Sequence, residues 1–369
     1  MSDIADLSKG IGISKDQLSA DGEPCILYGE LYTKYKSETI KEVISKTNID
    51  NTKLVKSKAN DVIIPCSGET AEEIATARCV LKDDVLLGGD LNIIRLHGYD
   101  GSFMSYQLNG KRKYDIAKVA QGVSVVHLYG EHLKNIKTIN PGLNEQKKIA
   151  NLLSLLDERI STQNKIIEDL KKLKSAIIEI EYSSKTKTSS HIGDFIVQTS
   201  KRNKDNAIQT VLSVSNRQGF IQQSEQFENR YVASDDTSNY KIVERNDFAF
   251  NPARINVGSI ARLITFEKGI VSPMYICFRT KDYTTPEYLD YFFESKLFFA
   301  EIKKRLEGSV RQCLSYESLC NIPFPLLAIE VQQRIGKQLF TLTQKIKLET
   351  DFLEILHKQK QHLLRQMFI

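Results

Sequence analysis

Residues whose types and spacing could support catalysis are few in this sequence. The tetrad Asn251-Pro252-Ala253-Arg254 resembles the motif with which amino-methyltransferases hold a flipped base. In such enzymes an aromatic side chain stacks on that base, but here Arg254 occupies the aromatic place and no glycine-rich cofactor loop precedes the tetrad. The chain also lacks a G-x-x-x-x-G-K-[ST] phosphate loop. We therefore expect neither a methyltransferase nor an ATPase.

The sequence does not indicate a nuclease or metal site either. Glu145-Gln146-Lys147 has the E-x-K spacing of many nucleases, but it begins a predicted helix without an acidic partner on a strand, so its charges are expected on the helix surface. The 6 cysteines form no C-x-x-C pair, and we expect reduced, partly buried thiols. His357 and His362 are five residues apart, which does not place two ligands on one helical face. No metal site and no cofactor are predicted for this chain.

Binding of nucleic acid has more support in the sequence. The formal net charge is +5, which is compatible with a nucleic-acid partner. Short basic clusters begin at Lys111, Lys201 and Lys303; each is either a solvated surface or a set of phosphate contacts. Base reading needs Arg, Asn, Gln, Ser or Thr on segments that enter a groove. The candidate DNA-binding residues are Ser67, Thr70, Lys111, Arg112, Lys113, Ser124, His127, Arg202, Lys204, Arg254, Asn256, Ser259, Ser309, Arg311 and Gln312.

Two long helices are predicted to position these residues. From Pro141 to Tyr182 the chain is rich in Leu, Ile, Lys, Glu and Gln, and its apolar residues alternate in steps of four and three. That spacing is a heptad seam rather than a broad globular face. The seam has polar steps at Gln163 and Lys174, and 186 residues later the same pattern returns with Glu349 and Lys360 at those steps. The seam residues are Ile149, Leu153, Leu156, Ile160, Ile167, Leu170, Ile177, Ile335, Leu339, Leu342, Ile346, Leu353, Leu356 and Leu363.

The repeated helix belongs to an internal duplication of nearly the whole chain. Asn60-Asp61-Val62-Ile63-Ile64 recurs as Asn246-Asp247-Phe248-Ala249-Phe250, and Gln121-Gly122 recurs as Glu307-Gly308. Between such anchors the two copies differ almost completely. Similar frames around different interiors predict two versions of one device, directed at two different targets.

The predicted fold class is α+β, with two tandem domains and two long helices. Short β-type runs alternate with turns, without the regular βαβ order of a parallel sheet. We predict a first domain over residues 1–143, a helix over 144–182, a linker over 183–190, a second domain over 191–328 and a helix over 329–369. Within the second domain, a helix from Glu287 to Leu306 is expected to break around Ser295. With no signal peptide and no apolar run near 18 residues, a soluble, cytoplasmic protein is expected.

Together these features resemble one family, the specificity (S) subunits of Type I restriction–modification enzymes. The resemblance lies in residues 61–68, in 122–128 leading to 143–149, in 246–258 and in 270–275. Its most specific element is a variable domain followed by E-Q-x-x-I and a heptad helix, repeated twice. The second copy departs from it with Val331 where the first has Glu145, while Gln332 and Ile335 remain.

The resemblance implies a non-catalytic, DNA-binding subunit. Each variable domain would be a target recognition domain that reads one half of a split, asymmetric sequence in double-stranded DNA. Two methyltransferase subunits that use S-adenosylmethionine would dock on the chain, and a motor–nuclease subunit that uses ATP and Mg would join them. The competing interpretations are a stand-alone methyltransferase or nuclease, and a coiled-coil scaffold that binds only proteins.

The two helices are expected to pair antiparallel, because the second can follow the first only by returning along it. From Ile149 to Ile177 a helix covers roughly 42 Å at ~1.5 Å per residue, slightly more than the ~34–36 Å between half-sites one DNA turn apart. Apolar residues beside the seam at Leu152, Leu155, Ile166, Leu173 and Ile178 predict a further packing surface. That surface would meet either partner subunits or the chain's own recognition domains.

Overall fold

The structure is a computed structural model that describes residues 1–122, 125–183, 189–216, 218–223, 236–308 and 312–368. The chain forms two compact units, Met1–Ile166 with Glu349–Ile369 (unit 1) and Ile167–Leu348 (unit 2). Each unit combines a domain of sheets and short helices with one part of each long helix, which confirms the predicted α+β class. Among the described residues, no helix has both the length and the apolar character that a membrane span requires.

Unit 1 begins with the first recognition domain. Its helices are α1 (Glu30–Thr33), α2 (Ala71–Ile74), α3 (Gly101–Asn109), α4 (Lys113–Val119) and α5 (Gly130–Lys134), and the long helix α6 starts here and spans Leu143–Glu181. Its strands are β1 (Ala5–Lys9), β2 (Leu18–Ser19), β3 (Glu23–Ile26), β4 (Thr39–Ile40), β5 (Ser45–Thr47), β6 (Val55–Lys56), β7 (Asp61–Pro65), β8 (Ser67–Gly68), β9 (Arg78–Val80), β10 (Leu86–Leu87), β11 (Leu91–Leu96) and β12 (Val126–His127).

Unit 2 contains the second recognition domain. Its helices are α7 (Ile192–Phe195), α8 (Pro286–Phe292), α9 (Lys296–Arg305) and α10 (Tyr316–Cys320), and the long helix α11 starts here and spans Ile329–Gln366. Its strands are β13 (Ile196–Thr199), β14 (Val211–Ser215), β15 (Gly219–Gln222), β16 (Lys241–Glu244), β17 (Phe248–Phe250), β18 (Ile260–Arg262), β19 (Lys268–Val271) and β20 (Ile276–Thr280). The predicted break at Ser295 is confirmed, since its hydroxyl caps α9 by accepting from Phe298 N. The predicted linker lies mostly outside the described residues.

The sheets of the two units have the same topology. In unit 1 the strand orders are β1-β11-β7-β9-β4 and β2-β5-β3-β10-β6, and β12 pairs with β8. In unit 2 they are β13-β20-β17-β18 and β15-β14-β19-β16. The parallel pair β3 and β10 corresponds to the parallel pair β14 and β19, and an antiparallel strand follows in both cases. In the part of the chain that the structure describes, unit 1 has one further edge strand in each sheet, β4 and β2.

Single residues also repeat in their geometry. Asn60 and Asn246 both have positive φ, at 83° and 72°, a region that Asn tolerates better than most side chains. Each precedes an aspartate that is buried on a central strand and paired with an arginine of the neighbouring strand. Asp61 binds Arg95 at 2.9 and 2.7 Å, and Asp247 binds Arg279 at 3.0 Å through both oxygens. The internal duplication predicted from the sequence is therefore present in three dimensions.

The long helices are antiparallel within each unit, as predicted. In unit 1, Ile149 near the start of α6 clusters with Leu364 near the end of α11, and further along α6 Ile160 clusters with Phe352. In unit 2, Ile177 on the later part of α6 clusters with Ile335 and Leu339 on the first part of α11. Every predicted seam residue is buried or half-buried.

The polar seam step at Gln163 has a defined partner. Its Nε2 donates to a side-chain oxygen of Glu349 at 2.5 Å and to the Glu349 carbonyl at 3.0 Å, in unit 1. Gln163 is 5% exposed. A buried polar pair of this kind fixes the register of two helices, because any slip would leave polar groups buried without partners.

One buried glutamine joins each long helix to the recognition domain of its unit. Gln146 accepts from the backbone N–H of Asp100 at 2.9 Å, and Gln332 accepts from that of Thr285 at 3.0 Å. Asp100 is the N-cap of α3 and Thr285 is the N-cap of α8, so the two glutamines bind equivalent helix starts. Both glutamines are essentially fully buried. This contact explains the glutamine of the repeated E-Q-x-x-I element.

The apolar residues beside the seam divide into two groups. Leu152, Leu155, Ile166 and Leu173 are between 40% and 54% exposed, and we call these four the apolar stripe of α6. Ile178 is 2% exposed and belongs to the core of unit 2. For Ile178, packing on the chain's own domain is therefore the correct interpretation.

Candidate nucleic-acid interface

A loop frame common to both units gathers many of the candidate residues. In unit 1, residues 121–128 contact the segment that follows β7, and in unit 2, residues 307–314 contact the segment that follows β17. We call residues 121–128 and 307–314 the closing loops. Leu128 donates its backbone N–H to the Cys66 carbonyl at 2.8 Å, and Leu314 donates to the Pro252 carbonyl at 3.0 Å. Each closing loop also bridges onto itself at the same places, between Gln121 and His127 and between Glu307 and Cys313.

In unit 1 this frame places Ser67 opposite His127, because β8 and β12 pair with these two residues in register. His127 is exposed, whereas Ser67 is 8% exposed and donates its hydroxyl to Asp90 at 3.1 Å. Thr70 is exposed but accepts from the backbone N–H of Glu73 as the N-cap of α2. Ser124 lies outside the described residues. His127 is thus the candidate here whose side chain is presented to solvent without a role in holding the loop.

Tyr129, which the sequence argument missed, extends this exposed surface. It is 43% exposed, and its ring lies 6.1 Å from the His127 ring at an interplanar angle of 16°. The Lys9 ammonium lies 5.3 Å from the Tyr129 ring centroid. Exposed aromatic faces beside cations are the usual means of stacking nucleotide bases. The sequence signal for Tyr129 was its position two residues after the candidate His127. Lys9 is distant in the sequence, and only the fold brings it near the ring.

A shallow cavity of about 410 Å³ opens beside Tyr129, between β1 and α5. Lys9 and Lys134 lie at its wall together with Asn92. Asn92 is 1% exposed and donates to the Leu128 carbonyl at 2.9 Å, while its side-chain oxygen has no hydrogen-bond partner among the described residues. The cavity therefore offers the Lys9 ammonium, one aromatic face and a buried acceptor beside the closing loop, whereas Lys134 at its wall is paired with Glu131 at 2.6 Å.

In unit 2 the frame carries a different set of side chains. Arg254 and Asn256 are exposed at the 3₁₀ turn Ile255–Val257 that follows β17. Gln312 is exposed on the closing loop. Ser259 is instead buried, and its hydroxyl donates to the Val214 carbonyl at 3.2 Å. Ser309 and Arg311 lie outside the described residues.

The basic cluster of unit 1 leads into α4. Lys111 is exposed, and Arg112 binds Asp115 at 3.3 Å. Lys113 is half-buried, and burial lowers the pKa of its ammonium, with Arg78 nearby adding to the effect. Of these three cations, Lys111 is the best placed to meet a phosphate.

The basic cluster of unit 2 lines a cleft of about 700 Å³. Arg202, Lys204 and Lys268 contribute cations to it, and Lys268 was not among the predicted residues. The loop that presents Arg202 and Lys204 is held by Asn203, which is fully buried and exchanges hydrogen bonds with the backbone of Ile208 at 3.0 and 3.1 Å. A cleft lined by several cations, two of them on a loop held by buried hydrogen bonds, suits the phosphate backbone of a nucleic acid.

The third basic cluster is occupied within the chain. Lys304 binds Glu301 at 2.5 Å, and Arg305 binds the same carboxylate and donates to the Asn321 carbonyl at 3.1 Å. Both salt bridges lie within α9, and of these contacts only the Arg305 bond to Asn321 joins this helix to the end of α10.

Comparison with known proteins finds a family similarity for the first part of the chain. Residues 1–172 match the family described as Type I restriction modification DNA specificity domain. The match covers slightly less than half of the 369 residues, and it shows a similarity to that family over this segment. The matched segment includes the first recognition domain, its closing loop and the part of α6 with Gln146. The resemblance predicted from the sequence is confirmed.

A curated relative supports the same family. The Type I restriction enzyme MjaVIII specificity subunit of Methanocaldococcus jannaschii is 29% identical to this chain over 177 residues. These residues are 48% of this chain and 40% of that protein, so the match spans less than half of either.

Solved structures show that the fold of Type I specificity proteins extends over the whole chain. The S subunit of a Type I restriction–modification system from M. genitalium superimposes with a TM-score of 0.64 at 18% identity, over 100% of this chain and 94% of that one. A chain from a structure on complex assembly and conformational transition of the Type I R-M system gives a TM-score of 0.54 at 13% identity, covering 98% and 95%. Unit 2 thus shares the fold of a specificity subunit, although the sequence match stops within α6.

Proposed function

We propose that this chain is the DNA-recognition subunit of a Type I restriction–modification enzyme. Each recognition domain reads one half of a bipartite, asymmetric site in double-stranded DNA, and the antiparallel helices set the spacer between the halves. The observation that carries this proposal is the loop frame: both units build it from the same backbone contacts, and each presents different exposed side chains on it. Two readers with one architecture and two chemistries suit a site with two unlike halves.

The phosphate backbone contacts are proposed at the basic clusters. In unit 2 the cleft with Arg202, Lys204 and Lys268 meets phosphates, and in unit 1 Lys111 does so. These cations position the domain without reading bases, whereas His127, Arg254, Asn256 and Gln312 face the base edges. Arg254 is the side chain that fits a guanine edge best, since arginine pairs with guanine through two hydrogen bonds.

Catalysis belongs to partner subunits in this proposal. Two methyltransferase subunits supply S-adenosylmethionine chemistry, and a motor–nuclease subunit supplies ATP- and Mg-dependent cleavage, while this chain binds no cofactor. The family and the matching fold support this arrangement. A non-catalytic reader is also consistent with a sequence that lacks the motifs of those reactions.

The apolar stripe of α6 is the proposed contact for the methyltransferase subunits. Four leucine or isoleucine side chains between 40% and 54% exposed on one helix are costly in water unless a partner covers them. Leu155→Glu and Leu173→Glu should each reduce the amount of methyltransferase subunit that co-elutes on a sizing column. The matched control is Ser161→Glu, an exposed position of the same helix outside the stripe. If all three variants retain as much methyltransferase subunit as wild type does, the apolar stripe is ordinary solvated surface.

The central experiment uses the chain assembled with its methyltransferase subunits. Binding to random duplex DNA should weaken steeply as salt rises, and methylation-sensitive sequencing of the host genome should reveal one split motif. The chain alone, incubated with DNA and labelled S-adenosylmethionine, should transfer no methyl group. Turnover by the chain alone would favour the stand-alone enzyme, and an assembled complex without sequence-selective DNA binding would favour the protein-only scaffold.

A further inference from the structure

The polar lysine steps of the two seams have partners in the recognition domains. A two-stranded coiled coil gains little from a lysine on its apolar seam. Lys360 of α11 nevertheless lies at such a step in unit 1, and Lys174 of α6 lies at the equivalent step in unit 2. Their side chains are only 13% and 16% exposed. Both lysines are therefore packed within the structure rather than solvated at the edge of the seam.

In unit 1 the Lys360 ammonium bridges the domain and the helices. It lies 2.5 Å from a carboxylate oxygen of Glu38 in the recognition domain and 2.6 Å from one of Asp157 on α6. The ammonium is also 5.9 Å from the ring centroid of Tyr106 on α3. Tyr106 in turn donates its hydroxyl to the second Asp157 oxygen at 2.8 Å. The four side chains form one closed, buried network across the domain–helix contact.

Unit 2 contains the same arrangement on its own helices. The Lys174 ammonium binds both carboxylate oxygens of Glu294 at 2.7 and 2.8 Å and lies 5.1 Å from the ring centroid of Tyr291. The Tyr291 hydroxyl is 3.3 Å from the Thr343 hydroxyl on α11, the position equivalent to Asp157 on α6. Lysine over tyrosine, and tyrosine bonded to the other long helix, are thus common to both units.

An aromatic pair completes the matched contact in each unit. Phe103 of α3 packs against Phe368 at a centroid distance of 5.3 Å, and Tyr288 of α8 packs against Tyr182 at 4.8 Å. With the glutamine contacts to the starts of α3 and α8, one helix of each domain meets the long helices through a buried amide, an aromatic pair and a lysine–tyrosine cluster. These contacts lie three residues apart along one face of the helix, so together they restrict its rotation as well as its distance.

We propose that Lys360 and Lys174 are positioning residues that fix the orientation of the recognition domain on the helix pair of their own unit. The consequence for DNA reading rests on the proposed function. Base contacts require the side chains to be placed to well under 1 Å, so a small rotation of the domain would weaken them. The salt bridge at Lys360 also directs the seam toward the correct domain, because an apolar residue there would leave the Glu38 carboxylate buried without its lysine. The lysines therefore act on reading through geometry, without touching DNA.

The two positions should differ in strength. Glu38 and Asp157 are nearly buried, with side chains 9% and 7% exposed, whereas the Glu294 side chain is 48% exposed. Ion pairs lose strength with solvent exposure, and a buried carboxylate that loses its cation is strongly destabilising. Loss of Lys360 should therefore loosen unit 1 more than loss of Lys174 loosens unit 2.

The test measures amide hydrogen exchange in the full chain carrying Lys360→Met or Lys174→Met. Exchange in α3 should accelerate about tenfold in the first variant while α8 stays unchanged, and the second variant should affect α8 alone and less strongly. Because Lys360→Met leaves two buried carboxylates without their cation, Lys360→Met is also combined with Glu38→Gln. If amide exchange in the double variant accelerates equally in α3 and α8, or accelerates in neither helix, the lysine does not position one domain and the inference is wrong.

A DNA arm reads the consequence in the complex with methyltransferase subunits. Duplexes carry one base-pair change in one half-site or in the other, and discrimination is the ratio of affinities for the intact and changed duplexes. The double variant should lose about tenfold in discrimination at one half-site only, and Lys174→Met should lose less, at the other. A merely structural role would lower both ratios together and would overturn the inference. If the wild-type complex discriminates at neither half-site, the proposed function fails, while the exchange experiment still decides whether the lysines hold the domains.

Discussion

Unit 1 and unit 2 differ where they would meet DNA and agree where they meet the long helices. Among the described residues, unit 1 has two five-stranded sheets and unit 2 has two four-stranded sheets, and the additional strands β4 and β2 lie at sheet edges. The glutamine, aromatic and lysine contacts to the long helices are the same in both. Each unit thus keeps its attachment constant while its reading surface varies.

The chemistry of the two reading surfaces is also distinct. The frame of unit 1 exposes an imidazole and a phenol, His127 and Tyr129. The corresponding frame of unit 2 exposes a guanidinium and amides, at Arg254, Asn256 and Gln312. Because the backbone bridges under these residues are equivalent, the difference lies in what the loops present rather than in how they are held. The two half-sites should accordingly be unlike in sequence.

Exchange of a whole recognition domain should have the largest effect on this comparison. Replacement of residues 191–328 by the equivalent domain of another specificity subunit should abolish reading of one half-site and install a new one. The other half-site should stay unchanged, because unit 1 keeps its own frame. Methylation mapping of the assembled complex checks this, with replacement by the chain's own residues through the same cloning junctions as the control. A change at both half-sites would show that the two domains do not read independently.

Deletion of one heptad from each long helix should change the spacer and not the half-sites. Removal of residues 160–166 and 346–352 keeps both seams in phase and removes Gln163 together with its partner Glu349. Each helix becomes shorter by roughly 10 Å, or about three base pairs at ~3.4 Å each. Three base pairs also rotate one half-site by around a hundred degrees relative to the other, at ~10.5 base pairs per turn, so activity should fall.

Methylation mapping should find the original half-sites with a shorter spacer in this double deletion. Deletion in α6 alone is the control, since it places Glu349 opposite no partner and should disrupt the complex instead. Active double-deletion complexes that keep the original spacer would show that the helices do not set the distance.

Sequence periodicity was sufficient to predict the long helices. The spacing of apolar residues predicted helices over residues 144–182 and 329–369, and the structure has Leu143–Glu181 and Ile329–Gln366. The strand Leu91–Leu96 and the break at Ser295 were also predictable, since a β-branched run and a serine N-cap are local signals. These features depend on neighbours in the sequence, which is why a single chain reveals them.

The contacts that join domains to helices could not be predicted in this way. Lys360 and Lys174 were visible only as interruptions of a seam, because Glu38 and Glu294 are brought to them by the fold. Ser67 and Ser259 had suitable side chains for base contacts, but their hydroxyls are buried and bonded within the domain. Residue type predicts what a side chain can bind, whereas burial and partners depend on tertiary packing.

A smaller effect is expected from single side chains on the reading surface. Arg254→Ala should cost about 1–3 kcal/mol of binding to the intact site if the guanidinium pairs with a guanine edge. That loss should be confined to one base pair, where the variant becomes tolerant of substitution. Lys204→Ala is the matched control in the same unit, because a phosphate contact should weaken binding to all sequences alike and reduce the salt dependence. Affinities measured on a panel of single-base variants separate the two patterns. A loss of only a few tenths of a kcal/mol of binding free energy for Arg254→Ala would show that Arg254 is an ordinary surface charge.

The smallest predicted effect concerns the acid response of the two units. Burial raises the pKa of Asp290 in unit 2 to about 6, although Arg262 lies 3.3 Å away and opposes the shift. In unit 1 the carboxyls around Lys360 shift in opposite directions. Burial raises the pKa of Glu38, whereas for Asp157 the effect of burial is outweighed by Lys360 together with the hydrogen bond from Tyr106, so that its pKa is lowered. A carboxyl with a raised pKa in the folded state binds a proton that the unfolded chain releases, so its ionisation costs stability as pH rises through 6.

Unit 2 should therefore gain stability as the pH falls from 7 to 5. Asp290→Asn fixes the neutral form and should remove this gain. The free energy of unfolding of wild type, relative to the variant, should rise by about 1 kcal/mol over that range, less than the full shift implies because the carboxyl is partly exposed. Urea denaturation of both proteins at pH 5, 6 and 7 measures the difference, with Asp115→Asn, a surface carboxyl of unit 1, as the control. A pH-independent difference between wild type and Asp290→Asn would mean that this carboxyl does not change its protonation between pH 5 and 7, and the prediction would be wrong.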